Sequence, residues 1–270
     1  MNGKELRRML REPGPVFGTM LTNPSPHWSP AIRDSGLDFV FIDTEHIPLD
    51  RTTLSWMCRT YAAMGVAPIV RIPSPDPYAA CVALDGGAEG VVAPYIESAE
   101  EARRLVGAVR YRPLKGKLLE RITHQHVAPE DPMCGYMDER CCGNILLLNI
   151  ESVPAIENLD EILDVPGFDG VLIGPHDLSC SLDVPEQYDH PRFLEAVDTI
   201  IRKARARGLA AGVHYWLSVE QQLAWVAAGA NLVIHSGDIT LFARAIREDL
   251  NRYREALGKA ALGAASAINI

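Results

Sequence analysis

Lysine is scarce in this chain, long apolar runs are missing, and no cysteine pair has the CxxC spacing. No apolar stretch approaches the roughly 18–20 residues that cross a bilayer, so no membrane span is expected. The six cysteines (58, 81, 134, 141, 142 and 180) also lack zinc-type spacing, which leaves neither a disulfide framework nor a zinc module. Basic excess is missing too: 26 Lys and Arg face 35 Asp and Glu, a net charge of −9, whereas a nucleic-acid binder would show a basic face. The opening residues MNGKELRRMLREPG carry charge where a secretory signal would need an apolar stretch. A reduced, cytoplasmic chain without nucleic-acid or membrane partners is expected. What is present is ordinary for a globular protein: 270 residues, 47% hydrophobic and 23% charged. That length can bury a large core, and α/β barrels reach about 250 residues as one unit.

Short β-branched runs alternate with helical patterns from end to end. Strands are expected at 16–21, 39–43, 68–72, 90–94, 145–150, 171–174, 209–214 and 232–236. Several are apolar on both faces, as parallel strands buried between helices and a barrel interior must be. Ser98 followed by Glu101 reads as a capping box before the stripe Ala102, Leu105, Val106 and Val109, and Ser218 with Gln221 repeats the pattern. Leu54, Cys58 and Tyr61 share one helix face, as do Phe193, Val197, Ile200, Ile201 and Ala204. Strict alternation without a linker predicts a single-domain (β/α)8 TIM barrel over 1–270, a doubly wound sheet being the less fitting α/β alternative. One stretch breaks the rhythm: 111–143 is too long for a plain connection and holds HQH and three cysteines, so a functional role or an oligomer contact is expected of it.

Barrel enzymes carry their chemistry at the C-terminal ends of the strands. Here the second strand ends in Asp43-Thr44-Glu45-His46, the third in Arg71 and the fifth in Asn149-Ile150-Glu151. The sixth runs into Gly174-Pro175-His176-Asp177, the seventh into His214-Tyr215-Trp216 and the eighth into His235-Ser236-Gly237-Asp238. Each has a plainer structural reading. Asp177 can be a helix N-cap, Arg71 a structural ion pair, and His46, His214 and His235 satisfied loop or strand-end histidines. Glu151 is harder to explain that way, because a carboxylate closing the apolar run 145–150 is buried and needs a reason. Titratable groups at so many strand ends exceed what structure alone requires.

Together they form a recognisable kit. Glu151 and Asp177 make an oxygen-only pair suited to Mg²⁺ or Mn²⁺, with water and substrate completing the shell. Arg71 offers a permanent charge for an oxyanion, His46 a group titrating near neutrality, and the N–H groups after Gly174-Pro175 a place for a carboxylate. This suits a metal-stabilised enolate of a 2-oxo acid. The five lysines (4, 115, 117, 203 and 259) avoid every expected strand end, so the desolvated lysine of a Schiff-base aldolase is lacking. No Gly-Gly pair follows the seventh or eighth strand, which argues against a phosphosugar barrel.

At these residues the sequence resembles the HpcH/HpaI aldolase family, the metal-dependent class II pyruvate aldolases. FIDTEH is similar to the family's IDGEH, PIVRIPSPDP to VVRxPxxDP, and ALDGGAEGVVAPYIESAEEAR to LDxGAxGxxxPxVxxAxEAR. IESVPAIENLDEI and DGVLIGPHDLS resemble the next two motifs, in the same order along nearly the whole chain. The resemblance implies a divalent metal (Mg²⁺ or Mn²⁺, Co²⁺ also being compatible) on Glu151 and Asp177. It further implies that Arg71 stabilises the enolate, that Asp85 orients His46 for acid–base work, and that Gly174–Asp177 bind the substrate carboxylate. Its partners would be a 2-oxo acid and an aldehyde. A homo-hexamer, a dimer of trimers with exchanged C-terminal helices, is implied as well, or another homo-oligomer, with 239–257 on a neighbour.

Some positions depart from the family pattern. Asn149 stands for a glutamine, His176 for a small residue, and Lys117 within LKGKLL for an arginine among glycines. His214-Tyr215-Trp216 replaces an aliphatic stretch. The donor half of the site is intact and the acceptor half is altered, so these residues are the candidates for substrate contact. Cleavage of a 4-hydroxy-2-oxo acid to pyruvate and an aldehyde is the expected reaction. The same enolate site acting on oxaloacetate (decarboxylation or a citrate-synthase-like condensation) and a non-catalytic oxo-acid-binding barrel are the alternatives.

Overall fold

The computed structural model describes residues 1–125 and 133–263. Eight parallel strands close into a barrel in sequence order, each paired with the next and the last with the first. They are β1 (Val16–Leu21), β2 (Phe39–Asp43), β3 (Ala67–Arg71), β4 (Gly90–Ala93), β5 (Ile145–Asn149), β6 (Gly170–Ile173), β7 (Ala210–Tyr215) and β8 (Leu232–Gly237). The expected TIM barrel is the observed one, with strand ends within one residue of the sequence reading. Thirteen helices lie among the described residues: one precedes β1, three lie between β4 and β5, two between β5 and β6, two between β6 and β7, and one follows each of the other strands, covering the outside.

Side chains alternate in and out along each strand, and this parity decides which residues reach the mouth. Phe39, Phe41, Ile69, Ile145, Leu147, Leu172, Ala210, Leu232 and Ile234 fill the interior. Their neighbours Val40, Ile42, Val70, Leu146, Leu148, Val171, Ala211 and Val213 pack outward against the helices. Gly18 on β1 leaves space for the Phe39 ring, into which any Cβ would run. Extending the inward parity by one step gives Asp43, Arg71, Asn149 with Glu151, Gly174, and His214 with Trp216.

The floor of the barrel is sealed by the helix Gly3–Met9, started by a capping box of Asn2 and Glu5 and burying Leu6. Below it, buried Asp169 accepts from Arg7 Nε at 2.7 Å, from the Leu146 N–H at 3.0 Å and from Arg110. The charges there are paired, which burial demands. Polar groups at the other end are arranged differently.

Ser98 and Glu101 form the expected capping box. Ser218 accepts from the Gln221 N–H, but its hydroxyl donates to Glu220 instead of meeting a glutamine side chain. The 111–143 stretch is not a loop: it carries helices Gly116–Gln125 and Met133–Cys141. Leu119 and Thr123 pack over Gly107. Its 126–132 portion, including the second histidine of HQH, lies outside the described residues. Among the described residues no helix is long and apolar enough to cross a membrane.

Candidate active site

A cavity of about 240 Å³ opens at the C-terminal end of the strands. His46, Arg71, Asn149, Gly174, Pro175, His176, Asp177, His214 and Trp216 line it, as the sequence led one to expect, joined by Phe41, Leu172 and Ile173.

Arg71 reaches the mouth from β3 and is held from three sides. Its Nε and Nη2 donate to the two oxygens of Asp43 at 2.8 and 2.6 Å, and its Nη1 lies 3.2 Å from Glu45 Oε2. The guanidinium stands 5.5 Å from the centre of the Phe41 ring. Burial alone would raise the Asp43 carboxyl, but hydrogen bonding and charge from Arg71 outweigh it and hold the group below its ordinary value. Burial raises the Glu45 carboxyl despite Arg71 beside it. Arg71 is thus both the structural ion pair and a cavity-lining charge; the two readings are not exclusive.

Glu151 follows β5 and is 2% exposed. Its Oε1 accepts from the Tyr95 N–H at 2.8 Å and its Oε2 from the Asn149 amide at 2.9 Å. Burial, with Asp177 adding repulsion, pushes its carboxyl up to about 7, against the opposing Tyr95 hydrogen bond and Arg71 charge. Tyr95 presents that N–H from a left-handed backbone, φ 52°. A Cβ at Gly174 would collide with Glu151 Oε2. Asp177 sits in the first turn of the helix Pro175–Ser181, whose N-cap is Gly174, so Asp177 does not cap it.

These residues fit a hard divalent cation. Asp177 lines the mouth, and Glu151 is buried beside it, near enough for Asp177 to raise its carboxyl; among the described residues no cationic side chain is bonded to Glu151, and Asn149 Oδ1 is buried without a partner. Among the described residues no group of three or more His, Cys, Asp or Glu assembles for a metal. Glu151 and Asp177 would be the protein's ligands, with water and substrate supplying the rest, as suits Mg²⁺ or Mn²⁺.

Three expectations need correction, those for Asp85, Lys117 and Tyr215. Asp85 does not orient His46 within the chain. The helix Pro77–Gly86 starts at the mouth and runs back down the outside, carrying Asp85 away to pair with Arg112 at 2.6 Å. Asp85 lines a separate cavity of about 550 Å³ among the outer helices, and the carboxylate beside His46 is Glu45, at 3.8 Å. Lys117 is exposed on the helix Gly116–Gln125, outside the mouth. Tyr215 has outward parity and packs edge-on to Trp225, 5.0 Å between ring centres, so it is core and not lining. His235 likewise turns outward, its Nδ1 2.6 Å from Gln222 Oε1. His176 does reach the rim, exposed, with Nδ1 3.8 Å from Glu186.

Residues 23–245 match the family model described as HpcH/HpaI aldolase/citrate lyase. The 2-keto-3-deoxy-L-rhamnonate aldolase of Escherichia coli K12 is 35% identical over 261 residues, covering 92% of each chain. The hydroxypyruvate/pyruvate aldolase of Deinococcus radiodurans is 38% identical over 240 residues, covering 86% of this chain and 83% of that one. Among solved structures, an HpcH/HpaI aldolase from Desulfitobacterium hafniense DCB-2 superposes with a TM-score of 0.80 at 28% identity, covering 93% and 96%. The family model and these relatives therefore make the chain a carbon–carbon lyase of the aldolase type. The chain belongs to the HpcH/HpaI aldolase/citrate lyase family.

Proposed function

We propose that this aldolase cleaves a 4-hydroxy-2-oxo acid to pyruvate and an aldehyde, or joins the two, with a divalent cation at Glu151 and Asp177. Bound there, Mg²⁺ or Mn²⁺, with Co²⁺ a further candidate, would supply Lewis-acid stabilisation of negative charge. The observation that carries this reading is Glu151: a buried carboxyl pushed up to about 7 by burial and by the charge of Asp177, and bonded to no cation among the described residues. Arg71, fixed by Asp43 and Glu45, donates to the 2-oxo oxygen as negative charge grows there. The N–H groups of His176 and Asp177 bind the substrate carboxylate. At the rim His46 exchanges a proton with the 4-hydroxyl, taking it in cleavage and returning it in addition. Asn149 keeps Glu151 oriented through its amide N–H.

The test is pyruvate release from 4-hydroxy-2-oxo acids, run beside oxaloacetate decarboxylation, with Mg²⁺ or Mn²⁺ and after chelation. Retro-aldol release that disappears in chelator and returns with metal is expected. Full activity in excess chelator, with no metal bound, would remove the cation from the account. Turnover of oxaloacetate alone would favour the second reading, which the family's breadth from aldolase to citrate lyase supports.

Assembly with further copies of the chain is part of the proposal. The helix Asp238–Ala256 leaves Ile239, Phe242, Ile246, Leu250 and Tyr253 exposed at helical spacing, with Leu257 just beyond. A solution mass of 29.6 kDa by light scattering would contradict this. Six free cysteines fit a reduced, cytoplasmic setting.

A further inference from the structure

His214 occupies the inward end of β7, where it lines the mouth with Trp216 and Arg71. Its Nε2 lies 3.1 Å from the Ser236 carbonyl oxygen. A carbonyl only accepts, so Nε2 carries the proton, and a neutral imidazole with one N–H leaves a lone pair on Nδ1. That nitrogen has no partner among the described residues. The ring cannot turn freely to find one: the Phe41 ring meets it edge-on at 5.5 Å between centres and the Trp216 ring at 6.0 Å. Burial, helped by Arg71, pushes its pKa down to about 4, so the acceptor is not lost to protonation near neutral pH.

We propose that His214 determines specificity by accepting, at Nδ1, a hydrogen bond from a hydroxyl carried next to the reacting carbonyl of the substrate. The inference rests on the aldolase reading and deepens it. A hydroxyl is the neutral group that meets a fixed lone pair with a proton. A carboxylate at the same point brings only lone pairs, and a methyl leaves Nδ1 unpaired in a site it has dried. A carbonyl compound with a hydroxyl at that point is therefore favoured over one with an alkyl or carboxylate group there. Two sources share this chemistry, a hydroxyl on the acceptor aldehyde and a hydroxyl on the 2-oxo acid donor.

Matched pairs separate them. One arm compares glycolaldehyde with propanal as acceptor for pyruvate. The other compares hydroxypyruvate with 2-oxobutanoate as donor for one fixed aldehyde. The ratio of kcat/KM within a pair cancels general damage to the enzyme. In wild type one arm is expected to favour the hydroxylated member about ten- to hundred-fold. His214→Leu should bring that ratio down by about ten-fold or more, chiefly through KM. His214→Gln can keep a donor on the Ser236 carbonyl and an acceptor toward the cavity, and should recover part of it. A wild-type enzyme without the preference in either arm overturns the proposal before any variant is made. So does an unmoved ratio in His214→Leu, or an equal loss in His214→Gln, which would mark a steric role. If wild type turns over neither arm, the aldolase reading fails first and the His214 assignment falls with it.

Discussion

Glu151→Gln is expected to abolish turnover and, at the same time, to make the metal-free protein more stable above neutral pH. The two effects share one cause. The folded state holds the Glu151 carboxyl at about 7, against an ordinary value of 4.5, because burial and Asp177 disfavour the anion. A raised acid favours folding while it is protonated, so its contribution is complete below about pH 4.5 and is lost as pH rises through 7. At pH 8 the ionised group costs roughly 3 kcal/mol. Glutamine has the same shape without the charge. Its oxygen can keep the Tyr95 N–H, and Asn149, whose Oδ1 lacks a partner, can turn to accept from the new amide. Thermal melts in chelator should show the variant higher by several degrees at pH 8 and level with wild type near pH 4.5. Mn²⁺ should then raise the wild-type midpoint and leave the variant's where it is. Turnover should fall by at least about 10²-fold. A variant that melts below wild type at pH 8 in chelator would show that Glu151 is a structural anion.

Arg71→Lys is the second large effect. Lysine keeps the charge but not the fork, and here the fork is in use: two guanidinium nitrogens are fixed on Asp43 and a third lies by Glu45. A single ammonium satisfies one of these and is drawn away from the cavity. Loss of a positioned donor at a developing oxyanion typically removes about 10²–10³ in kcat. The expected pattern is a large fall in kcat with a smaller change in KM, because the interaction matters most when charge has formed. Near-normal kcat in Arg71→Lys would reduce Arg71 to a structural ion pair.

Much of this site was legible because barrel strands deliver every second residue to one place. Arg71, Glu151 and Asp177 announced themselves as charges at the ends of apolar runs. The same parity, applied from Phe39 and Phe41, leads to Asp43, and from Gly212 it selects His214 and Trp216 while excluding Tyr215. Strands apolar on both faces hide that parity, which is how Tyr215 came to be grouped with its neighbours. Asp85 was placed by resemblance, and the direction of its helix separates it from His46 in the folded chain. Tyr95 could not have been found: nothing marks a tyrosine for a left-handed backbone, and its contribution to Glu151 is a main-chain N–H. Asp43 and Glu45 stood in view within the DTEH segment, but their partner is Arg71, and the pairing between neighbouring strands appears only once β2 and β3 lie side by side with Asp43 opposite Arg71.

Central to the account is that this mouth makes an enolate from a 2-oxo acid using Glu151, Asp177 and Arg71 together. Deuterium incorporation into the methyl group of pyruvate, followed by proton NMR in D₂O without any aldehyde, reads that step alone. With Mg²⁺ or Mn²⁺ the wild-type protein should wash out the methyl signal catalytically. Chelator, Glu151→Gln and Arg71→Lys should each suppress the exchange by about 10²-fold or more. Exchange at the full rate in chelator and in Glu151→Gln would contradict the account.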